Sequence, residues 1–183
     1  MKRVFVAMTA AFLMVALAAS ATMAAPNLKY RTFGSADVTE GPTGTFTIAS
    51  NGEDPTWGGP EYGGVYLNSK ANSGKYIGAV TFSFTSSGFV AGGAPRFSIP
   101  INTDGVSNAV AFYAFLDVNG CGGSMVVSTT SATCAVNAGS ETFANWAAFA
   151  AAHPTYRIAS GSIPFIIADG TLGTYVVSDI VLR

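Results

Sequence analysis

The segment GAVTFSFTS, residues 78–86, alternates apolar and small polar side chains with a period of two. Val80, Phe82 and Phe84 therefore fall on one face of an extended chain, and the Thr and Ser residues between them fall on the other. This alternation is typical of a strand with one face in a core and the other toward solvent. Because such a strand must bury its apolar face against another layer, the segment predicts a packed sheet.

Further segments predict strands, and stretches rich in Gly, Pro, Asn and Asp separate them. These segments are TFTIAS (45–50), GVYLNS (64–69), RFSIPI (96–101), AVAFYAFLDV (109–118), IPFIIA (163–168) and TYVVSDIVLR (174–183). Proline has no amide hydrogen to donate, so Pro100 predicts that RFSIPI is an edge strand or the end of a strand. AVAFYAFLDV is apolar on both faces, which predicts a strand that is covered on both sides.

One helix is predicted among the strands, in the run ETFANWAAFAAAH (141–153). Ser140 suits the N-cap of this helix, and Pro154 would stop it. The three- and four-residue spacing of its larger side chains places one stripe on a single face, made of Trp146, Phe149, Ala150 and His153. About nine short strands with one short α-helix predict an all-β fold, an antiparallel β-sandwich of the jelly-roll type.

The N-terminus has the layout of a secretory signal peptide. Lys2 and Arg3 precede an apolar run from Val4 to about Ala19, and small residues follow it. The run lies at or below the length that spans a bilayer, so no stable membrane insertion is expected after cleavage. We predict cleavage after Ala24, with cleavage after Ala21 as the alternative. Residues 1–24 are then the signal peptide and residues 25–183 the β-sandwich domain, and the protein is secreted or extracytoplasmic.

This compartment bears on Cys121 and Cys134, the two cysteines of the chain, which twelve residues separate. An oxidising compartment favours a disulfide between them, worth on the order of 3 kcal/mol in the chain-entropy model. A metal or redox role would need further ligands or closer spacing, and the sequence has one histidine and no CxxC. The segments SMVVST (124–129) and ATCAV (132–136) predict a hairpin across this disulfide.

Charged residues make up 10% of the chain, and the formal net charge is -1. Loss of Lys2 and Arg3 with the signal peptide would change this charge from -1 to -3. Nucleic-acid binding depends on clustered Lys and Arg, and here the basic residues are scattered. We therefore expect no nucleic-acid partner.

The sequence predicts no catalytic residues. It has no GxSxG motif, and any Ser-His-Asp triad would have to use His153, which we expect to pack or to cap the helix. The carboxylates that a glycoside hydrolase would need in pairs mostly lie in turn contexts, where they bond local backbone. These residues are Glu53, Asp54, Glu61, Asp104, Asp117, Glu141, Asp169 and Asp179. A hydrolase that uses carboxylates is the third hypothesis for function.

The sequence also predicts no metal site and no cofactor. Calcium is the one ion left open, because NTDG (102–105) and DVNG (117–120) carry oxygen ligands on loops. The two turns flank the same predicted strand at opposite ends, so we do not expect them to share an ion.

The C-terminal segment GTYVVSDIVLR (173–183) resembles the final strand of secreted lectin-like jelly rolls, where an aromatic-led apolar strand with an embedded Asp ends the domain. This resemblance to the lectin-like or carbohydrate-binding-module type implies a jelly roll and a bias toward carbohydrate binding, and it transfers no binding residue. GGAPRFSIPI, NWAAFAAAHP and PFIIADGTLGTYVVSDIVL together are similar to segments of a type of secreted bacterial protein, and this second resemblance implies no activity.

The segment DPTWGGPEYGGVY (54–66) is the candidate ligand site. Trp57, Tyr62 and Tyr66 lie among glycines and prolines, so their rings could stack on sugars. Asp54 and Glu61 could accept hydrogen bonds from sugar hydroxyls. The alternative is that Trp57 folds back over one end of the sandwich, because large aromatics usually bury most of their area.

The leading functional hypothesis is therefore a secreted, non-catalytic binding module for a polysaccharide or a cell-envelope surface. The alternative hypothesis is an extracellular structural or surface protein that self-associates. In that case RFSIPI would be an exposed strand edge to which a second copy pairs.

Overall fold

A computed structural model describes residues 29–68 and 70–183 of the chain. The predicted signal peptide and both cleavage positions lie outside the described residues. The strands are Lys29–Gly34 (β1), Asp37–Glu40 (β2), Phe46–Ser50 (β3), Gly63–Asn68 (β4), Phe82–Gly88 (β5), Arg96–Asn102 (β6), Phe112–Asp117 (β7), Val126–Ser128 (β8), Val136–Ala138 (β9), Glu141–Phe143 (β10), Arg157–Ile158 (β11), Phe165–Ala168 (β12) and Gly173–Leu182 (β13). One α-helix, Trp146–Ala152 (α1), lies between β10 and β11.

The strands form two antiparallel sheets, as the sequence predicted. The larger sheet has the order β1-β4-β12-β6-β7-β9-β10, with β11 paired to β6, and the smaller sheet has the order β2-β3-β13-β5-β8. Most connections cross from one sheet to the other. They link four strands of the smaller sheet, β3-β13-β5-β8, with four facing strands of the larger sheet, β4-β12-β6-β7. This eight-strand order, built from two Greek keys, is that of a jelly roll. The predicted fold class is confirmed.

The core lies between the two sheets and follows the period-two pattern. Phe82 and Phe84 of β5 are fully buried, and so are Phe97 and Ile99 of β6 in the facing sheet. The ring centroids of Phe84 and Phe97 lie 5.0 Å apart with an angle of 65° between the ring planes, a favourable edge-to-face geometry. The alternation in residues 78–86 thus identified one wall of the core.

The prediction for RFSIPI was wrong, because β6 lies inside the larger sheet with neighbours on both sides. Strand β7 pairs along one side, while β12 and β11 share the other side. Pro100 lies at the break between β12 and β11, where its carbonyl accepts a hydrogen bond from the Ala159 N–H at 2.9 Å. Since N–H and C=O of one strand residue point to the same side, the missing N–H of Pro100 faces this break. The sheet therefore tolerates a proline at its centre.

The hairpin predicted for residues 124–136 does not form. Strand β8 pairs with β5 in the smaller sheet, and β9 pairs with β7 and β10 in the larger one. The disulfide is confirmed: Cys121 and Cys134 are bonded and buried, and they join the turn after β7 to the segment before β9. The bond thus ties two parts of the larger sheet together rather than two arms of a hairpin.

The helix is present but begins later than predicted. Residues 141–143 form β10, and Asn145, not Ser140, is the N-cap, where its side chain accepts a hydrogen bond from the Ala148 N–H at 2.8 Å. Trp146 and Phe149 are buried on its inner face. His153 is the C-cap, and its ring stacks on Tyr156 at 4.3 Å between centroids. The expectation that His153 packs or caps the helix is therefore confirmed.

Among the described residues, no helix has the length and apolar character required to cross a membrane.

Candidate functional site

The connection between β3 and β4, residues 51–62, is called the aromatic loop below. The two halves of this loop run antiparallel to each other. The Asp54 N–H donates to the Gly59 carbonyl at 2.7 Å, and the Glu61 N–H donates to the Gly52 carbonyl at 3.0 Å. Gly58 at its tip has a φ of +71°, a conformation that favours glycine. The Gly-rich sequence is what allows this tight tip.

Both carboxylates of the aromatic loop bond to its own backbone. Oε2 of Glu61 accepts from the N–H groups of Asn51 at 3.0 Å and Gly52 at 3.2 Å. Oδ1 of Asp54 accepts from the Thr56 N–H at 2.7 Å. Hydrogen bonds from the Ser35 hydroxyl and the Thr56 N–H lower the pKa of Asp54. The structure thus gives both side chains a role in holding the loop.

Trp57 stands at the tip of the aromatic loop and is 56% exposed. Its ring lies over Gly59, where a Cβ atom would come within 2.2 Å of the indole. Trp57 is therefore not a lid on the core, and its stacking on the backbone leaves one region of the indole open to solvent. Tyr62, at the other end of the loop, is half-buried, and its carbonyl accepts from the N–H groups of Ser35 and Ala36.

Tyr66 lies apart from the loop, on the outer face of the larger sheet. Tyr66 is four positions beyond Tyr62, which corresponds to about 13 Å of extended chain. Its ring packs against Phe33 of β1 at 4.4 Å and Phe165 of β12 at 5.7 Å between centroids. Phe165 in turn contacts Tyr113 of β7 at 5.5 Å. The outer face of β7 is only half-buried beneath these aromatic neighbours. The apolar pattern of AVAFYAFLDV had predicted that both faces of this strand would be covered.

A groove runs beside Tyr66 at one end of this face, and we call it the Tyr66 groove. It consists of two adjacent depressions of about 310 and 290 Å³ that share Asn68, Ser162 and Ile163. Arg31 of β1 and Tyr66 line the first, and Asn72, Ser73 and the segment 158–160 line the second. Three segments that are distant in sequence thus form one concave surface.

Uncharged polar side chains lie among apolar ones in the walls of the Tyr66 groove. The Ser162 hydroxyl bonds with the Tyr113 hydroxyl at 3.0 Å, and the Ser160 hydroxyl donates to Oδ1 of Asn108. Asn72 is 1% exposed, and its Oδ1 accepts from Nζ of Lys75 at 3.1 Å. Its Nδ2 is buried with no hydrogen-bond partner among the described residues. A buried donor without an acceptor is costly, so a ligand oxygen or water that reached it would be favoured.

One cation borders the aromatic part of this groove. The guanidinium carbon of Arg31 lies 5.4 Å from the centroid of the Tyr66 ring, within cation–π distance. Arg31 is exposed and makes no ion pair with any described residue. The groove therefore presents an aromatic edge, amide and hydroxyl groups, and a guanidinium together.

The carboxylates of the two calcium candidates are bonded within their own turns, which lie at opposite ends of β7 as expected. Hydrogen bonds from the N–H and hydroxyl of Ser107, with a further one from the Val106 N–H, hold the pKa of Asp104 well below its usual range. Oδ1 of Asp117 accepts from the Gly120 N–H at 2.6 Å. Over residues 29–68 and 70–183, no three His, Cys, Asp or Glu side chains are grouped so that they could hold a metal ion.

The carboxylate of Asp169 is also paired, with the guanidinium of Arg96. Asp169 receives two hydrogen bonds from the Arg96 guanidinium, at 2.7 and 2.5 Å, next to the aromatic outer face. Such a bidentate pair suits a structural link between β6 and the end of β12.

No protein-family model and no curated protein matches the chain. Among solved structures, the binding domain of Botulinum neurotoxin DC in complex with rat synaptotagmin II is 13% identical, with 85% of this chain and 43% of that chain covered and a TM-score of 0.28. A second structure, described as the receptor binding domain, is 13% identical, with 85% and 42% covered and a TM-score of 0.30. The chain thus spans less than half the length of these structures, and likeness at this level supports no statement about function.

The sequence analysis named Tyr66 but missed the other residues of the groove. Alternation in GVYLN places Tyr66 on the face opposite Val65 and Leu67, which was a readable sign that Tyr66 points away from the core. Arg31, Asn72 and Ser162 left no such sign, because only the strand order brings them beside Tyr66.

Proposed function

We propose that this protein is a secreted, non-catalytic module that binds a polysaccharide, and that the Tyr66 groove is its main binding site. The observation that carries the proposal is the combination of an aromatic ring with amide and hydroxyl side chains along one open groove. Sugars present apolar C–H faces and many hydroxyls, so they bind by stacking on aromatic rings and by hydrogen bonds. Asn68 and Ser162 offer both donors and acceptors.

Trp57 and Tyr62 enter the proposal as further contacts for a long saccharide chain. They lie beyond the end of β4 that is opposite the groove, so only an extended ligand would reach from one place to the other. Asp54, at 4% exposed, is not accessible to such a ligand in this conformation. The proposal therefore assigns the stacking to Trp57, Tyr62 and Tyr66, and the hydrogen bonding mainly to the groove.

Secretion is part of the proposal. The predicted signal peptide directs export, and the buried disulfide suits an oxidising compartment outside the cytoplasm. The self-association hypothesis relied on RFSIPI as an exposed edge, and this strand is paired on both sides. We therefore do not extend that hypothesis. Carboxylate hydrolysis is likewise not developed, because Asp54, Glu61, Asp104 and Asp169 are engaged in the bonds described above.

A glycan array with wild type, Tyr66→Leu and Trp57→Leu tests the proposal. Leucine at position 66 keeps an apolar side chain against Phe33 and Phe165 while it removes the aromatic face. We expect wild type to bind with dissociation constants of about micromolar to millimolar, since each hydrogen bond to a sugar replaces one to water. Tyr66→Leu should lose most of this binding, and Trp57→Leu should retain it for short saccharides.

Thermal melts of the three proteins provide the control for folding. If no saccharide binds wild type, the proposed function is wrong. If only Trp57→Leu loses binding, the ligand lies on the aromatic loop and the groove is not its site.

A further inference from the structure

We infer that the Tyr66 groove selects acidic saccharides, and that Arg31 contacts their carboxylate or sulfate group. The inference rests on the proposed carbohydrate-binding function and adds the class of saccharide. A guanidinium offers a planar fork of N–H donors that matches a carboxylate or sulfate, which makes Arg31 the best placed group for such a contact.

Among the described residues, the charged groups that line the groove or bond to its lining side chains are cations. Arg31 lines it directly, and Lys29, two residues earlier on β1, lies on the same face opposite Asn68 in the strand register. Lys75 adds a third cation at the far wall, through its bond to Asn72. Among the described residues that line the groove, none is Asp or Glu. The acidic residues nearest in sequence to Arg31, Asp37 and Glu40, belong to β2 in the other sheet.

This local excess of cations contrasts with the whole chain, whose formal net charge is -1. A neutral sugar would require no such excess. An anionic sugar would gain from it, because opposite charges at the mouth of a groove raise both affinity and the rate of association.

The hydrogen-bonding groups point to the same ligand class. Lys75 can only donate, so it must face the oxygen of the Asn72 amide, and the Nδ2 donor of that amide is left without an acceptor. Arg31 is also purely a donor. A groove with surplus donors and no carboxylate of its own is complementary to a ligand with surplus acceptors, which describes a uronate or a sulfated sugar.

Arg31 could instead serve only to cover the Tyr66 ring, a contact worth about 0.5–1 kcal/mol at an exposed site. The two roles differ in what they predict. A covering role affects stability alone, whereas an anion-binding role affects the preference between charged and neutral saccharides.

The test uses oligosaccharides in matched pairs. Each uronate oligosaccharide (galacturonate, glucuronate or mannuronate) is paired with its carboxyl-reduced neutral form, and each sulfated one with its desulfated form. Isothermal titration calorimetry compares wild type, Arg31→Gln and the control Arg183→Gln. The control makes the same change of charge at the exposed C-terminal residue, next to β13 in the smaller sheet. Thermal melts establish that all three are folded.

We expect wild type to bind at least one acidic member about tenfold or more tightly than its neutral partner, a factor typical of one charge-assisted hydrogen bond. Arg31→Gln should lose this preference, Arg183→Gln should keep it, and added salt should weaken it. The uronate and sulfate arms distinguish the two anionic groups. Equal binding of neutral partners, or an unchanged preference in Arg31→Gln, overturns the inference while the carbohydrate-binding function stands. Absence of binding to every member, neutral and acidic, overturns that function and the inference with it.

Discussion

In the aromatic loop, Glu61 and Asp54 accept hydrogen bonds from backbone N–H groups of the same loop. In the Tyr66 groove, by contrast, the Arg31 guanidinium makes no ion pair with any described residue and the Asn72 amide retains a donor without a partner. The two regions are similar in composition, since each combines an aromatic ring with polar side chains. They differ in whether those polar groups already have hydrogen-bond or ion-pair partners among the described residues.

The difference follows from what supports each region. The aromatic loop has few strand neighbours, so its carboxylates must satisfy N–H groups that a sheet would otherwise satisfy. The aromatic part of the groove wall is formed by β1 and β4, whose backbone groups pair with each other, and residues 72–73 and 158–164 form the rest. Side chains on such a wall are left available for a ligand. This difference is the reason why the proposal places the main site at Tyr66 and not on the aromatic loop.

The largest effect is expected from Tyr66→Ala, which removes a ring packed between Phe33 and Phe165. We expect it to lower the free energy of unfolding by about 2 kcal/mol, less than for a fully buried aromatic. Urea denaturation measures this change. Tyr66→Phe, which keeps the ring, should stay within about 0.5 kcal/mol of wild type. Equal stability of the alanine variant would show that the ring does not hold the outer face together.

A smaller effect is expected from Glu61→Ala, because it removes the acceptor of two backbone N–H groups in the aromatic loop. The free energy of unfolding should fall by about 1 kcal/mol, and amide hydrogen exchange at Asn51 and Gly52 should become faster. Glu61→Gln retains an acceptor oxygen and is the matched control. If exchange at these two amides is unchanged in the alanine variant, the carboxylate does not hold the loop.

Acid should loosen the aromatic loop before it affects the groove. The folded-state pKa of Asp54 is lowered, chiefly by the Ser35 hydroxyl and then by the Thr56 N–H. Its contribution to stability is therefore complete above the unfolded pKa of about 3.9 and is lost as the pH falls below it. Trp57 fluorescence, recorded from pH 6 to pH 2 in wild type and Asp54→Asn, follows the change. A transition that is identical in both proteins would assign it to another group.

The smallest effect is expected from Trp57→Ala. The side chain is 56% exposed and rests on loop backbone, so the free energy of unfolding should change by less than about 0.5 kcal/mol. Urea denaturation beside Tyr66→Ala tests the comparison directly. A loss for Trp57→Ala as large as that for Tyr66→Ala would mean that the tip of the loop contributes to the core after all.

Local patterns of the sequence predicted the sandwich correctly. The alternating pattern predicted a buried face made of Val80, Phe82 and Phe84. Successive side chains of a strand point to opposite faces whichever strands pair with it. The disulfide was predictable because the compartment and the cysteine count leave few alternatives. The helix start was missed by several residues, since Ser140 and Asn145 are both good N-caps and only the pairing of β10 with β9 decides between them.

The sequence by itself therefore determined the fold class, the pairing of the two cysteines and the outward direction of Tyr66. Tertiary structure alone decided that Pro100 lies at a break between β12 and β11, and that Arg31, Tyr66, Asn72 and Ser162 share one groove. The physical reason is that side-chain alternation is a property of a single strand, whereas the order of strands in a jelly roll depends on contacts between residues far apart in the chain. A binding surface that crosses several strands can be read only once that order is known.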